Sequence, residues 1–479
     1  MKIGYRRRLA DFAGGGLRLQ REFAKHERQP REDLKLYQQR RLESVVRHAA
    51  ARSPFYRERL AGVVNEGSME LSRLPMIDKS EMMEHFDGLV TDGRLRRDAL
   101  LEWVEGLDRD ELYLDRYRVM TTSGSSGRKG LFVFDRSEWR TIIAQFLRYG
   151  EMSGVRPRLP RRLRVAAVIG PSPLHMSRQV SASISVGIHR VLTLSVTQPV
   201  EQLVENLNRF QPDFLAAYPS MATRLAEEQL AGRLRLTLGG MSTSSELRTS
   251  EMTGRMVEAF GVHPFDLYAT TEGLWGCECE HHRGIHLFED FTLLENVDDA
   301  GMPVPAGEPG TRLLVTSLHN LVQPIIRLEL PDAVTLDPEP CPCGRTLVRT
   351  RAVEGRTDDV LYLPARRGSE VMVHPLQFGV VTRDRGVREF RVIQEGESVR
   401  ILVVASPSAD DELDRRLREA VSVKLAKLGV REPRVSVERR VDLARSAGGK
   451  LQLVVADPAT RTAFHGGPPP PRRATTADC

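Results

Sequence analysis

The sequence predicts an α/β protein of two domains, and three observations lead there. Its 479 residues exceed what one hydrophobic core ordinarily organises. Between about residues 110 and 290 short apolar segments alternate with amphipathic ones, the pattern of a largely parallel sheet covered by helices. After GRTDDV (355–360) the pattern becomes strand, strand, helix, strand, which suits a small α+β unit. The expected organisation is an arm (1–36), a large domain (37–355) ending in a β-rich subdomain (291–355), a small domain (356–458) and a tail (459–479).

Each element has a local reason. The polar start, 1–36, reads either as a flexible arm or as a docking helix. YQQRRLESVVRHAAARS (37–53) sets Leu42, Val45, Val46 and Ala49 at helical spacing, and Pro54 stops the helix. RVAAVIG (164–170) is strand-like, PVEQLVENLNRF (199–210) helix-like, and GEPGTRLLVTSL (307–318) a run of strand and turn. Past the boundary come strands REFRVIQ (388–394) and RILVVA (400–405). A helix over 411–428 follows, with Leu413, Leu417, Val421 and Leu428 on one side; Gly429 stops it before the strand RVSVERR (434–440). HGGPPPPRRATTADC (465–479) has no core-forming pattern and is expected to be disordered.

Composition excludes several classes. Hydrophobic content of 41% and charged content of 28% are those of a soluble globular protein. The formal charge of +6 comes mostly from arginine, with no aromatic-interleaved basic stripe, so no nucleic-acid footprint is read, while an anionic substrate is favoured. No run approaches the ~20 apolar residues of a membrane span. Met1–Arg8 is basic but no apolar h-region follows, so the cytoplasm is the expected compartment. Four of five cysteines form two C-x-C pairs, Cys277/Cys279 and Cys341/Cys343; in that compartment such spacing suggests a metal rather than disulfides.

The strongest local signal is TTSGSSGRKG (121–130). Glycines and hydroxyls cannot build a core, but they can surround phosphate oxygens with backbone N–H groups and side-chain donors. Arg128 and Lys129 add positive charge. No G-K-[ST] occurs, so this is not a Walker A loop. The loop resembles the phosphate-binding signature of the adenylate-forming superfamily, which includes acyl-CoA ligases, peptide-synthetase adenylation domains and luciferases. YATTEG (268–273), PIIRLELPD (324–332), GRTDDV (355–360) and RSAGGK (445–450) follow in that superfamily's order. SPFYRERL (53–60), LPMIDKSEM (74–82), CEHHRGIHLFED (279–290) and CPCGRTLVRTRAVEGRTDD (341–359) resemble its phenylacetate–CoA ligase group.

The resemblance implies ATP-dependent, AMP-forming activation of a carboxylic acid, a task of positioning and charge neutralisation. Ser123, Gly124, Ser125, Ser126, Gly127, Arg128 and Lys129 match the grip on the β- and γ-phosphates. Thr271 matches the α-phosphate contact and Glu272 the ligand of Mg²⁺, a cation that prefers oxygen. Tyr268 matches the aromatic stacked on adenine, with Ala269 and Thr270 beside it. Ser245 and Glu246 in SSEL (244–247) fall, in a loose match, at a Gly-rich adenine turn. Asp332 and Arg356 match the ribose contacts, although Leu328 replaces a usual tyrosine and Pro331 precedes the aspartate. Asp358 matches the hinge about which the small domain rotates between two half-reactions. Lys450 matches the lysine that bridges the substrate carboxylate and the α-phosphate. His175, Tyr218, Ser220, Met241 and Trp275 are candidates for the acyl pocket wall.

Cys279, His286, Cys341 and Cys343 would make a closed structural Zn²⁺ site with no open position; Cys277 or His281/His282 is the alternative source of one ligand. Two acceptors stay open. One is CoA, making a carboxylate–CoA ligase; the other is an amine, because LPARRGSEVMVHP (363–375) lacks the Gly-x-Asn usual near the pantetheine arm. A catalytically silent nucleotide-binding homologue is the reading from another class. Aryl or arylacetic acids and a homodimer are expected by analogy with the group.

Overall fold

The computed structural model describes residues 4–64, 69–107, 111–122, 130–155, 161–172, 175–298, 300–356, 359–368, 370–407, 409–446 and 448–457. Its frame is a nine-stranded sheet in the order 190–195, 164–169, 214–217, 240–244, 265–269, 275–278, 285–287, 349–356, 332–337. The first five of these are mutually parallel, and the last four join antiparallel.

The parallel half follows from the alternation read in the sequence. Helix Val200–Phe210 buries Val200, Leu203 and Leu207 against the sheet, and Gln211 ends it in the left-handed region. Helix Ser250–Phe260 is capped by Thr249, whose hydroxyl accepts the Met252 N–H, and Gly261 closes it at φ 69°. Helix Arg136–Met152 covers the other face and opens with a reciprocal capping box between Asp135 and Glu138.

The expected β-rich subdomain over 291–355 is divided between two sheets. Strands 292–297, 312–317 and 328–330 form a small antiparallel sheet, whereas 332–337 and 349–356 extend the main one. Local alternation reports a strand but not its partner, which long-range register decides.

The polar start is helical over Tyr5–Asp11 and Leu17–His26, and Arg31–Arg52 continues it. A buried charge network docks it: Arg148 reaches Glu27 at 2.7 Å and Asp290 at 2.8 Å, Arg345 reaches Glu27 at 2.6 Å, and His26 meets Asp290 at 3.0 Å. Such groups are tolerated inside only because every charge finds a partner.

Beyond the boundary lies a four-stranded sheet in the order 434–440, 398–405, 387–395, 454–455, backed by helix Leu413–Lys427. Leu413, Leu417, Val421 and Leu425 are that helix's buried residues, so Leu425 takes the core place expected of Leu428, which is the C-cap. Gly429 follows at φ 100°. Arg255 of the large domain donates to the carbonyls of Thr382, Asp384 and Val387 at 2.7–2.8 Å, seating the small unit on helix Ser250–Phe260. Among the described residues no helix is long and apolar enough to cross a membrane.

Candidate active site

The parallel strands end at Ile169, Ser195, Ala217, Ser244 and Ala269 on one edge of the sheet. Open α/β sheets take ligands at that edge, because the chain turns away there and leaves a crevice. A cavity of ≈ 1460 Å³ opens between this edge and the small domain.

Strand Phe265–Ala269 brings Tyr268, then a tight turn delivers Thr271 and Glu272. The turn is closed by the Leu274 N–H on the Thr270 hydroxyl at 3.1 Å and by the Thr270 N–H on the Leu274 carbonyl at 2.9 Å. Gly273 sits at φ 110°, a conformation that a side chain would strain. On the far strands, Asp332 and Arg356 are register partners across an antiparallel ladder, which explains how residues 24 apart share one spot. Pro331 does not break this strand, since it precedes the first paired residue.

Lys450 enters from the small domain at the tip of a turn in which the Ser446 N–H meets the Lys450 carbonyl at 3.0 Å. Ser245, Glu246, Tyr268, Ala269, Thr270, Thr271, Glu272, Asp332, Arg356 and Lys450 all line the cavity. The phosphate-loop residues Ser123–Lys129 and the hinge residue Asp358 lie outside the described residues. The loop's flanks are described: Thr122 and Gly130 are bonded to each other at 2.8 and 3.0 Å, and Thr122 lines the cavity.

The electrostatics join these groups. Burial would raise the Glu272 carboxyl, but the Lys79 ammonium at 2.6 Å outweighs it and holds Glu272 below the ordinary value. Asp332 moves the other way: burial raises it, and Arg356 offsets only part of that. Burial, then the Asp332 charge, pushes the Tyr268 phenol far up. Burial lowers Lys450, Arg356 adds to that, and Glu246, Glu272 and Asp332 pull it back. The result is a cluster in which a bound polyanion changes the balance for every member.

Lys79 is the residue that sequence reasoning missed. It begins the helix Lys79–Glu84, with the Asp78 carboxylate accepting the Glu81 N–H at 2.8 Å as N-cap. The available signal was its rarity, as one of eight lysines in an arginine-rich chain and in a segment already singled out.

Beneath the polar cluster the cavity turns apolar. Ala167, Ala216 and Ser242 are in register on three adjacent strands and line it, so a row of small side chains leaves space. Phe146, Val165, Val180, Ile184 and Phe214 complete the wall. Of the acyl-pocket candidates, His175, Tyr218 and Trp275 line the cavity. Met241 does not: it pairs with Leu215, one residue out of phase with Ala216 and Ser242, and is buried in the core on the opposite face. Ser220 does not line it either; its hydroxyl accepts Arg445 Nη1 at 3.0 Å. Burial lowers His175, with Lys450 adding to the effect, so a neutral imidazole stands beside the lysine.

The cysteine cluster assembles as Cys279, His286, Cys341 and Cys343, all buried, their ligand atoms within 4.8 Å of one another. Sγ of Cys279 and Cys341 are 3.6 Å apart, and Sγ of Cys343 is 3.4 Å from Nε2 of His286. Donors at 2.0–2.3 Å from a tetrahedral centre lie roughly 3.3–3.8 Å from each other, so the set fits zinc. Burial holds His286 down at about 4, leaving the neutral ring a ligand needs. Burial would raise Cys343, but the Arg345 N–H groups outweigh it and lower the thiol. Cys277 is outside the set, its Sγ donating to the Glu278 carbonyl at 3.1 Å, and His282 stacks on His263 instead at 3.9 Å between centroids.

No protein-family model matches the chain. A phenylacetate–coenzyme A ligase from Thermus thermophilus is 29% identical over 368 residues, 74% of this chain and 76% of that one. Among solved structures, a 2-hydroxyisobutyryl-CoA ligase in its postadenylation state, complexed with an acyl-AMP, superimposes with a TM-score of 0.71 at 23% identity, covering 92% and 94% of the two chains. An anthranilate CoA ligase complexed with anthranoyl-AMP gives 0.52 at 20% identity, covering 70% and 64%. The fold is the one these acyl-AMP-bound ligases share. In sequence the chain is similar to phenylacetate–coenzyme A ligases.

Proposed function

We propose that the protein condenses a carboxylic acid with ATP to an acyl-adenylate and pyrophosphate, then passes the acyl group to CoA. The observation that supports this best is the meeting of Lys79, Glu272, Asp332, Arg356 and Lys450, drawn from both domains, above an apolar arm. That is the charge pattern a nucleotide needs beside an acid.

In this reading Tyr268 stacks on adenine while Asp332 and Arg356 hold the ribose. The Ser123–Lys129 loop and Lys79 take the outer phosphates, and Thr271 the α-phosphate. Glu272 would hold Mg²⁺, which supplies charge neutralisation at the leaving pyrophosphate. Lys450 lies against both the carboxylate oxygen that attacks and the phosphorus it attacks, so its charge acts most where negative charge builds up. Removal of Lys450 would therefore lower turnover more than ATP affinity.

The acid is an aryl or arylacetic one: Phe146, Phe214 and the small row Ala167–Ala216–Ser242 suit a flat apolar group. The Cys279/His286/Cys341/Cys343 set would hold a structural Zn²⁺ that ties the CEHHRG loop to the CPCGRT loop, away from the chemistry. CoA is favoured as acceptor because Arg351, Arg391, Lys424 and Lys427 are among the residues lining the cavity, which suits an anionic acceptor. The relatives named above are themselves CoA ligases.

The test is acid-dependent pyrophosphate release with ATP and Mg²⁺ over a panel of aryl, arylacetic and aliphatic acids, with and without CoA. Release with one acid and turnover raised by CoA is the expected outcome. Release that an amine but not CoA accelerates would replace the acceptor, and no release with any acid would remove the activity.

A further inference from the structure

Among the described residues, the lysine loop is bonded both within the small domain and across to the large one. Inside the small domain, the Ser446 hydroxyl accepts the Lys450 N–H at 3.2 Å, and Arg391 Nε donates to the Gln452 carbonyl at 3.0 Å. Across the domain boundary, the Leu451 N–H donates to Glu246 Oε1 at 2.7 Å. The other oxygen, Oε2, accepts the Ser220 N–H at 3.0 Å. Arg445 completes the circuit: its Nη1 donates to the Ser220 hydroxyl at 3.0 Å and to the Gly449 carbonyl at 3.3 Å, while Nη2 meets Glu389 at 2.7 Å.

Three features show that this contact is shaped for its place. Ser245 adopts φ 71°, a left-handed position costing a serine of order 1 kcal/mol, and so aims Glu246 at the lysine loop. Gly449 adopts φ 76°, and a Cβ there would come within 2.2 Å of Val196 Cγ2. A Cβ on Gly448 would meet the His175 ring at 2.6 Å. Only glycines let the loop approach so closely. Each oxygen of Glu246 accepts one backbone N–H, one from each domain, so the carboxylate bridges the two.

Resting on the function proposed above, we infer that Glu246, with Ser220 and Arg445, is the positioning element that seats Lys450 for the adenylation half-reaction. The residue bonded to Glu246 is the immediate neighbour of Lys450, so any pose that withdraws the lysine breaks the circuit. Loss of the circuit therefore slows acyl-adenylate formation and spares transfer from an adenylate already made. Misplacing a reacting group by about 1 Å costs up to ~100-fold, and that is the scale expected here.

The experiment measures two rates separately on the full-length protein: acid-dependent pyrophosphate release, and thioester formation from supplied acyl-AMP and CoA. Glu246→Ala should lower the first by roughly ten- to a hundredfold with the KM for ATP within about threefold, and leave the second within about threefold. Glu246→Gln, which keeps one acceptor oxygen, should recover part of the loss. Arg445→Met, from the other side of the boundary, should show the same split without touching Glu246. An unchanged first rate, an equal fall in both rates, or a rise in KM for ATP that accounts for the whole effect would overturn the inference. A wild-type protein that releases no pyrophosphate with any acid would instead overturn the functional reading beneath it.

Discussion

Two clusters of buried charge can be set side by side. Around Arg148, the carboxylates of Glu27 and Asp290 close on one guanidinium that is 1% exposed, and the His26 ring meets Asp290. In the cleft, Lys79, Glu272, Asp332, Arg356 and Lys450 are drawn from both domains and face a cavity. The first cluster pairs its charges internally and buries them behind the polar start of the chain. The second balances its charges across a space that another anion can enter. Similar side chains thus serve stability or chemistry according to whether the packing leaves a vacancy for a ligand.

That contrast can be broken most forcefully at Arg148. Arg148→Ala removes the guanidinium shared by two buried carboxylates, leaving Glu27 only Arg345 and Asp290 only His26, and should destabilise the fold by about 3 kcal/mol in denaturant unfolding, with turnover per folded molecule preserved. A small shift in unfolding midpoint would make that network ornamental. Lys450→Ala should cut pyrophosphate release by ~10²–10³, about 2.7–4 kcal/mol, at nearly unchanged ATP affinity and melting temperature. Full adenylation by that variant would move the lysine out of the mechanism.

Cys341→Ser, or a strong chelator on the native protein, should lower the melting temperature by about 2 °C, as expected for ~2 kcal/mol in a chain of this size. Identical melting with and without chelator would argue against a structural metal. Lys79→Ala should slow adenylation by about tenfold, the worth of one charged hydrogen bond, and make the rate more sensitive to Mg²⁺ concentration. The smallest effect concerns pH. Lys450 works protonated and burial lowers it from the ordinary 10.5, so the rate should fall as pH rises through that lowered value. In Lys450→Arg, whose charge persists, this alkaline limb should vanish; its persistence would assign the limb to another group.

Legibility differed between these clusters too. Lys450, Glu272, Asp332 and Arg356, which line one cavity, could be singled out beforehand because each stands in a short motif, and motif order survives without knowledge of contacts. The Cys/His cluster was readable in type, since two C-x-C pairs and nearby histidines restrict the choice, yet Cys277 and His282 fall outside it only because of where their atoms point. Lys79 went unread because a lone lysine has no spacing to interpret. Met241 was misplaced because proximity in sequence says nothing about which face of a strand a side chain occupies.

The sequence by itself determined the α/β class, the order of the motifs, and helices read over 37–53, 199–210 and 411–428 that the structure places at Arg31–Arg52, Val200–Phe210 and Leu413–Lys427. These depend on local periodicity, turn chemistry and short-range spacing, which are properties of neighbouring residues. Only the tertiary structure decided that strands 332–337 and 349–356 join the main sheet, that Lys79 meets Glu272, and that Glu246 holds the neighbour of Lys450. Each of those depends on register or docking between segments far apart in the chain, where the choice of partner is made by packing of the whole and leaves no local trace.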